Sequence, residues 1–345
     1  MTATAAAAAS ALRATATVER VGERTARRIA DAHAIVGDDL AWVEAELARA
    51  AQVGATPGTS ASVHLLGAGG KRVRPLAVLL SAACFGEVSH AARAMAVVAE
   101  LVHAATLLHD DVIDDSDERR GRPASRRVWG NAVSVLAGDL MLTHALERTM
   151  DAAPSLLPEL VATLRRLVDG EIVQLRGRTR LDLAEPTYFA VVRDKTASLF
   201  SFASRAGARV AGADDDEASA LGEYGAHLGV AFQLVDDALD YAGDKSAMGK
   251  SLFGDLREGK VTLPLVRALA ARPSLAADVD RARAGDDAAA ARLLAAVLES
   301  TACDEVRALA RAESDLAVAA LSRIPACPAR DLLACVATEL AARVS

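Results

Sequence analysis

The sequence predicts an all-α protein, and two observations carry that prediction. Hydrophobic residues make up 52% of the 345 residues while aromatics make up only 3%, and Ala and Leu supply most of the apolar content. The long apolar stretches also repeat at helical spacing, not in strand-like alternation. The length allows one large domain or two ordinary ones. With a net charge of −7 and no Lys/Arg block, nucleic acid is not expected as a partner. Cys84, Cys303, Cys327 and Cys335 show no CxxC or CxxH spacing and read as small core residues in a reducing compartment, hence the cytoplasm. No transmembrane segment is expected, because Glu100, His103 and similar residues interrupt the apolar runs. The Ala/Thr-rich start lacks an apolar core and a cleavage signal, so residues 1–20 read as a flexible leader.

Taken in order, residues 25–51 form one amphipathic helix or two, with Gly37 the candidate break, and residues 56–60 form a Gly/Ser/Thr turn. Residues 67–75, GAGGKRVRP, place Lys71, Arg72 and Arg74 after turn-forming glycines, with Pro75 suited to the first turn of the next helix. A basic loop opening a helix is a candidate anion site, although the P-loop spacing is absent and a plain basic turn reads the same way. Residues 76–84 and 91–114 are helices with broad apolar faces. In the second, His103, Thr106, Asp110 and Asp114 fall on one polar stripe, as on a cavity wall; His103 alone would read as a hydrogen-bonded core residue. Residues 131–150 form a helix with Gly138 and Asp139 inside it, and residues 156–175 another, on which Glu171 and Gln174 face the same way. A linker at 181–186 leads to a helix at 187–211 carrying Asp194, Lys195 and Thr196 near its middle. An acidic turn at 212–217 caps the helix at 218–241, where Gln233 precedes Asp236 and Asp237 by one turn. Residues 243–260, Gly-rich and charged, read as a mobile lid bearing Lys250 and Lys260. A helix restarts at 261–271 with Pro264 near its first turn, and Ala/Leu helices without functional signal follow from 276.

The chemistry concentrates in residues 109–123, HDDVIDDSDERRGRP. Asp110 and Asp114 are four apart and share a helix face, where two carboxylates repel unless a cation separates them. Mg²⁺ fits, since it takes oxygen ligands and is commonly held by one or two carboxylates plus substrate phosphates. Arg119, Arg120 and Arg122 follow as forked donors for phosphate oxygens. A charge run by itself is usually a solvated helix end. Asp236, Asp237 and Asp240 in FQLVDDALDY repeat the D-D-x-x-D spacing, and the two motifs together are candidates to hold Mg²⁺ ions bridging a diphosphate. Only five of the 39 basic residues are lysine, and four of them, Lys71, Lys195, Lys250 and Lys260, lie in motif-like settings as candidate phosphate contacts; Lys245 does not.

The GGKRVRP loop, HDDVIDDSDERRG, GEIVQ, the Lys195-Thr196 pair, FQLVDDALDY and GKSLFGDLREGK resemble, in identity and order, the trans-isoprenyl diphosphate synthases (polyprenyl synthetases) over about residues 67–264. The resemblance implies a single-domain helical bundle of the isoprenoid synthase type around a deep central cavity, with residues 21–345 the catalytic domain, in a homodimer. It implies that Lys71, Arg74, His103 and Arg120 bind isopentenyl diphosphate, and that Arg119, Lys195, Thr196, Gln233, Lys250 and Lys260 bind an allylic diphosphate. Asp110, Asp114 and Asp236 would be the main Mg²⁺ ligands, and Asp111, Asp237 and Lys195 would join them in the catalytic set. The physics agrees: head-to-tail condensation in trans requires the allylic diphosphate to ionise, so cations must stabilise the leaving group. The allyl cation then needs a dry, unreactive wall.

Ala105 and Thr106 precede Asp110 by five and four residues, roughly 6–7.5 Å along a helix. Short-chain members of the family carry bulky residues at this level. Small ones imply an open tunnel and a product of six or more isoprene units, of the kind used for quinone side chains, with Leu146 as candidate floor. Three alternatives stay open: a farnesyl or geranylgeranyl diphosphate synthase, one subunit of a two-component synthase, and a terpene cyclase. The second should have lost carboxylates or basic residues. The third should carry a different second motif and an aromatic pocket, and aromatics are scarce here.

Overall fold

The structure, a computed structural model, describes residues 23–179, 182–241 and 260–342. The predicted leader, Lys245, Lys250 and almost all of the predicted lid lie outside the described residues. In order, the helices are α1 (Glu23–Ala50), α2 (Gly58–Gly67), α3 (Val73–Ala83) and α4 (His90–Ile113). A two-stranded hairpin, β1 (Glu118–Arg119) and β2 (Arg122–Pro123), leads to α5 (Ser125–Trp129), α6 (Asn131–Ala152), α7 (Leu157–Thr179) and α8 (Glu185–Val191). A π-helical turn, Val192–Ala197, joins α8 to α9 (Ser198–Val210), and α10 (Asp215–Leu239) follows. The remainder is α11 (Leu263–Ala271), α12 (Ala276–Arg283), α13 (Asp287–Leu298), α14 (Ala302–Ala320) and α15 (Pro328–Ala342).

The all-α expectation is met, the single-helix reading of residues 25–51 holds, and two elements are corrected. α1 runs through Gly37 without a break. Val36, Leu40, Val43 and Leu47 bury one continuous stripe, which outweighs the ~1 kcal/mol that a mid-helix glycine costs. The turn expected at 56–60 ends earlier, because Pro57 stands at the N-cap of α2 and Thr59, Ala61, Leu65 and Leu66 are already buried helical residues. The single helix expected at 187–211 starts at Glu185, with Pro186 in its first turn, and is widened by the π turn. α4 is the one described helix long and apolar enough to cross a membrane, because its Ala, Val and Leu residues outweigh Glu100 and His103. Most of it is buried, as in the core helix of a globular unit.

The described chain forms two compact units. The first takes the residues up to Val161 together with Leu199–Gly225 and Ala320–Val336. Its spine is α4, whose Met95, Val98, Leu101, Val102, Ala105 and Leu108 are fully buried and which packs chiefly on α6, with α3 and α1 also against it. α10 starts here with a reciprocal cap: Glu217 N–H donates to Asp214 Oδ1 at 2.8 Å, and Asp214 N–H donates to Glu217 Oε2 at 3.0 Å. The second unit takes Ala162–Ser198, Ala226–Ala319 and the residues from Ala337. Leu265, Leu269, Val279, Leu293 and Val297 form its core, on α11, α12 and α13.

Candidate active site

In the first unit the acidic run is a helix end followed by a hairpin. α4 stops at Ile113, and Asp114 is its C-cap, one hydrogen-bonded turn beyond Asp110: Asp114 N–H donates to the Asp110 carbonyl at 2.7 Å. The expected one-turn spacing of the two residues is therefore present, with Asp110 half-exposed and Asp114 6% exposed. Beyond them Arg119 pairs with Arg122, so Arg120 and Gly121 form a two-residue hairpin turn, both with positive φ (54° and 71°). The outer acids have a local task. Arg126 donates to Asp115 Oδ1 at 2.8 Å, to the Asp115 and Ser116 carbonyls at 2.9 Å, and to Asp117 Oδ1 at 3.3 Å, which ties the loop to α5.

Asp111 turns inward and is 1% exposed. Its Oδ1 accepts from Arg119 Nε at 2.8 Å and Nη2 at 2.5 Å. Burial raises its pKa and Arg119 opposes that rise. The carboxylate thus holds Arg119 in place, and its contribution runs through that guanidinium.

The basic loop separates its residues. Arg72, N-cap of α3 with φ of 49°, is buried. It donates from Nε to Glu44 at 2.5 Å and from Nη1 to Glu100 at 2.6 Å. Lys71 is exposed, and Arg74 lies over the Phe200 ring, its guanidinium carbon 4.6 Å from the centroid. Gly70 lets the loop meet the hairpin turn: a Cβ there would lie 3.1 Å from an Arg120 guanidinium nitrogen. Around His103 the loop and hairpin place Arg74, Arg120, Arg119 and Arg72. Burial first, and then these four charges, push the imidazole pKa well below its usual range, so the ring is neutral at pH 7. Arg120 also has a lowered pKa, through burial and then its like-charged neighbours, against the pull of Glu100. Arg72 goes the other way: burial lowers its pKa, but Glu100 and Glu44 raise it above the usual range, so it is compensated within the fold and the cationic cluster beside it is the candidate anion site.

In the second unit the repeated motif again buries its second aspartate, while its third, unlike Asp114, stays half-exposed. Asp236 and Asp240 are half-exposed one turn apart, and Asp240 N–H donates to the Asp236 carbonyl at 3.1 Å. Asp237 is 4% exposed and fully hydrogen-bonded. Gln233 Nε2 donates to its Oδ1 at 2.9 Å, while the Tyr188 hydroxyl at 2.8 Å and Leu263 N–H at 3.0 Å both donate to Oδ2. Burial pushes its pKa up to about 6 in spite of these bonds. The chain continues to the π turn, where the Thr196 hydroxyl donates to Gln233 Oε1 at 3.2 Å. Lys195, beside it, forms an ion pair with Glu171 of α7. Lys260 is half-buried.

At the expected chain-length level, Ala105 is fully buried on α4 and Thr106 is half-buried with its hydroxyl donating to the His103 carbonyl at 2.8 Å. Leu146 is half-buried on α6. Among the described residues no three His, Cys, Asp or Glu converge as an all-protein metal site. The donor set still fits Mg²⁺, which needs only one or two carboxylates when water and substrate oxygens complete its shell.

Several participants were not legible beforehand. Tyr188 and Arg126 carried no motif, and the Glu171–Lys195 pair was visible only as a shared face of Glu171 and Gln174. The hairpin was signalled by Gly121 alone, since Arg is an unusual partner in such a turn.

A profile of the polyprenyl synthetase family matches residues 58–300. The chain is 38% identical to heptaprenyl diphosphate synthase component 2 of Geobacillus stearothermophilus, over 87% of this chain and 94% of that protein. It is 36% identical to octaprenyl diphosphate synthase of Escherichia coli, over 92% of this chain and 96% of that one. Among solved structures, polyprenyl synthase of Caulobacter crescentus complexed with calcium and isoprenyl diphosphate superposes with a TM-score of 0.84 at 37% identity, covering 91% of this chain and 98% of that one.

Proposed function

The chain belongs to the polyprenyl synthetase family, and on that premise we propose that it is a Mg²⁺-dependent prenyltransferase making a long-chain polyprenyl diphosphate. It condenses isopentenyl diphosphate with an allylic diphosphate, head-to-tail in trans. The observation that carries the reading is the cluster of Arg74, Arg119 and Arg120 beside a neutral His103, with the Arg120 hairpin turn against Gly70 of the basic loop, on the helix that ends in Asp110 and Asp114. Lys71, Arg74, His103 and Arg120 bind isopentenyl diphosphate. Arg119, held by Asp111, acts on the allylic diphosphate with Lys195, Thr196, Gln233, Lys250 and Lys260. Asp110, Asp114 and Asp236 hold Mg²⁺, which supplies positive charge to the departing diphosphate. His103, kept neutral, offers a hydrogen bond where a further cation would add only repulsion.

The same reading makes residues 21–345 one catalytic domain around a central cavity, working in the cytoplasm as a homodimer, with a product suited to quinone side chains. The free thiols of Cys84, Cys303, Cys327 and Cys335 support a reducing compartment. Exposed Val135, Leu136 and Met150 on α6 support an apolar contact between copies.

The test is the purified protein alone with isopentenyl diphosphate and a set of allylic primers, products resolved by reversed-phase chromatography. Products of six or more units are expected. Products of three or four units would leave the reaction class and overturn the long-chain reading. No product from the chain alone would favour the two-component reading, for which the likeness to a relative named component 2 speaks. Within an active enzyme, Ala105→Phe is expected to shorten the product while turnover continues. Unchanged product length with a normal melting point would remove Ala105 from the tunnel.

A further inference from the structure

We propose that Glu171 is a positioning residue for Lys195, holding its ammonium where it meets the leaving diphosphate. This rests on the prenyltransferase reading above and adds a residue that reading does not use. The two side chains form an ion pair and are only 12% and 21% exposed, so solvent screens the pair weakly. Neither Glu171 carboxylate oxygen has a hydrogen-bond partner among the described residues. The Lys195 ammonium is therefore the group that compensates this carboxylate.

The backbone around Lys195 is fixed from the same face of α7. Arg166 donates to Asp194 Oδ1 at 2.8 Å and to the Arg193 carbonyl at 3.0 Å. Gly170 permits the close approach, since a Cβ there would lie 2.7 Å from the Lys195 backbone nitrogen. On the other side, Thr196 is held by Gln233 and the Ser198 hydroxyl donates to the Asp194 carbonyl at 2.5 Å. π turns inside α-helices cluster at functional positions, and this one carries Lys195 and Thr196 together. A lysine on a free four-carbon stem would have to be ordered during each turnover. Glu171 orders it beforehand and leaves the pair neutral until the more highly charged diphosphate competes for the ammonium.

The test is a double-mutant cycle in the full-length enzyme, with kcat and both KM values measured and the melting point followed. Lys195→Ala and Glu171→Gln are each expected to lower kcat on the order of tenfold to a hundredfold, with KM for isopentenyl diphosphate nearly unchanged; the melting point should hold in Glu171→Gln and fall in Lys195→Ala, which leaves the Glu171 carboxylate uncompensated. The double variant should be no worse than Lys195→Ala. Asp169→Asn, an exposed carboxylate change on the same helix, should behave as wild type. Gly170→Ala, which keeps both charges and pushes on the Lys195 backbone, should reproduce the kcat loss, and it serves as the second variant if Glu171→Gln does not fold. Losses that multiply in the double variant overturn the inference and leave the prenyltransferase reading intact, as does full activity in Gly170→Ala. A fully active Lys195→Ala variant removes Lys195 from the diphosphate site and the inference with it.

Discussion

Asp110→Ala is expected to lower kcat by about a thousandfold, the scale seen when one preorganised charge-stabilising group is removed from an active site, while the protein stays folded. Asp110 is half-exposed at the end of α4, and truncation of such a side chain has little leverage on stability. Its place one turn before Asp114 means that removal leaves a single carboxylate where Mg²⁺ is proposed to be shared with substrate oxygens. Asp236→Ala should behave alike. The measurement is turnover at saturating Mg²⁺ beside a circular-dichroism melt. Near-normal turnover in either variant would remove that residue from the metal site.

The next residue in the second motif should give the opposite phenotype. Asp237→Ala is expected to cost about 3 kcal/mol of folding stability, visible as a lowered denaturant midpoint. It would strip acceptors from the Gln233 amide, the Tyr188 hydroxyl and the Leu263 N–H in a nearly solvent-free place. Asp237→Asn should recover much of that loss, because one amide oxygen can still accept from Tyr188 and Leu263. Equal stability of the Ala variant and the wild type would show that these three donors find other partners.

The helices, the two aspartate motifs and the basic loop were legible because each depends on local spacing. The inward turns of Asp111 and Asp237 were not. In D-D-x-x-D all three residues look alike, and which one turns inward depends on what is packed there: Arg119 for Asp111, and Gln233, Tyr188 and Leu263 for Asp237. Arg72 is similar. As a letter it belongs to the basic loop, but Glu44 and Glu100, far away in sequence, make it an internal strut. The π turn escaped notice because a widened turn leaves no periodic signature in so short a segment.

The hairpin turn at Arg120 sets thermal robustness and turnover against each other. A left-handed backbone suits Asn or Gly in such a turn, and Arg there is held against a local conformational preference. Any procedure that selects for melting temperature alone would drift toward Asn at 120 and discard the guanidinium that reaches the cluster around His103. Engineers raising the heat tolerance of this protein would do well to keep that position fixed and place their substitutions elsewhere.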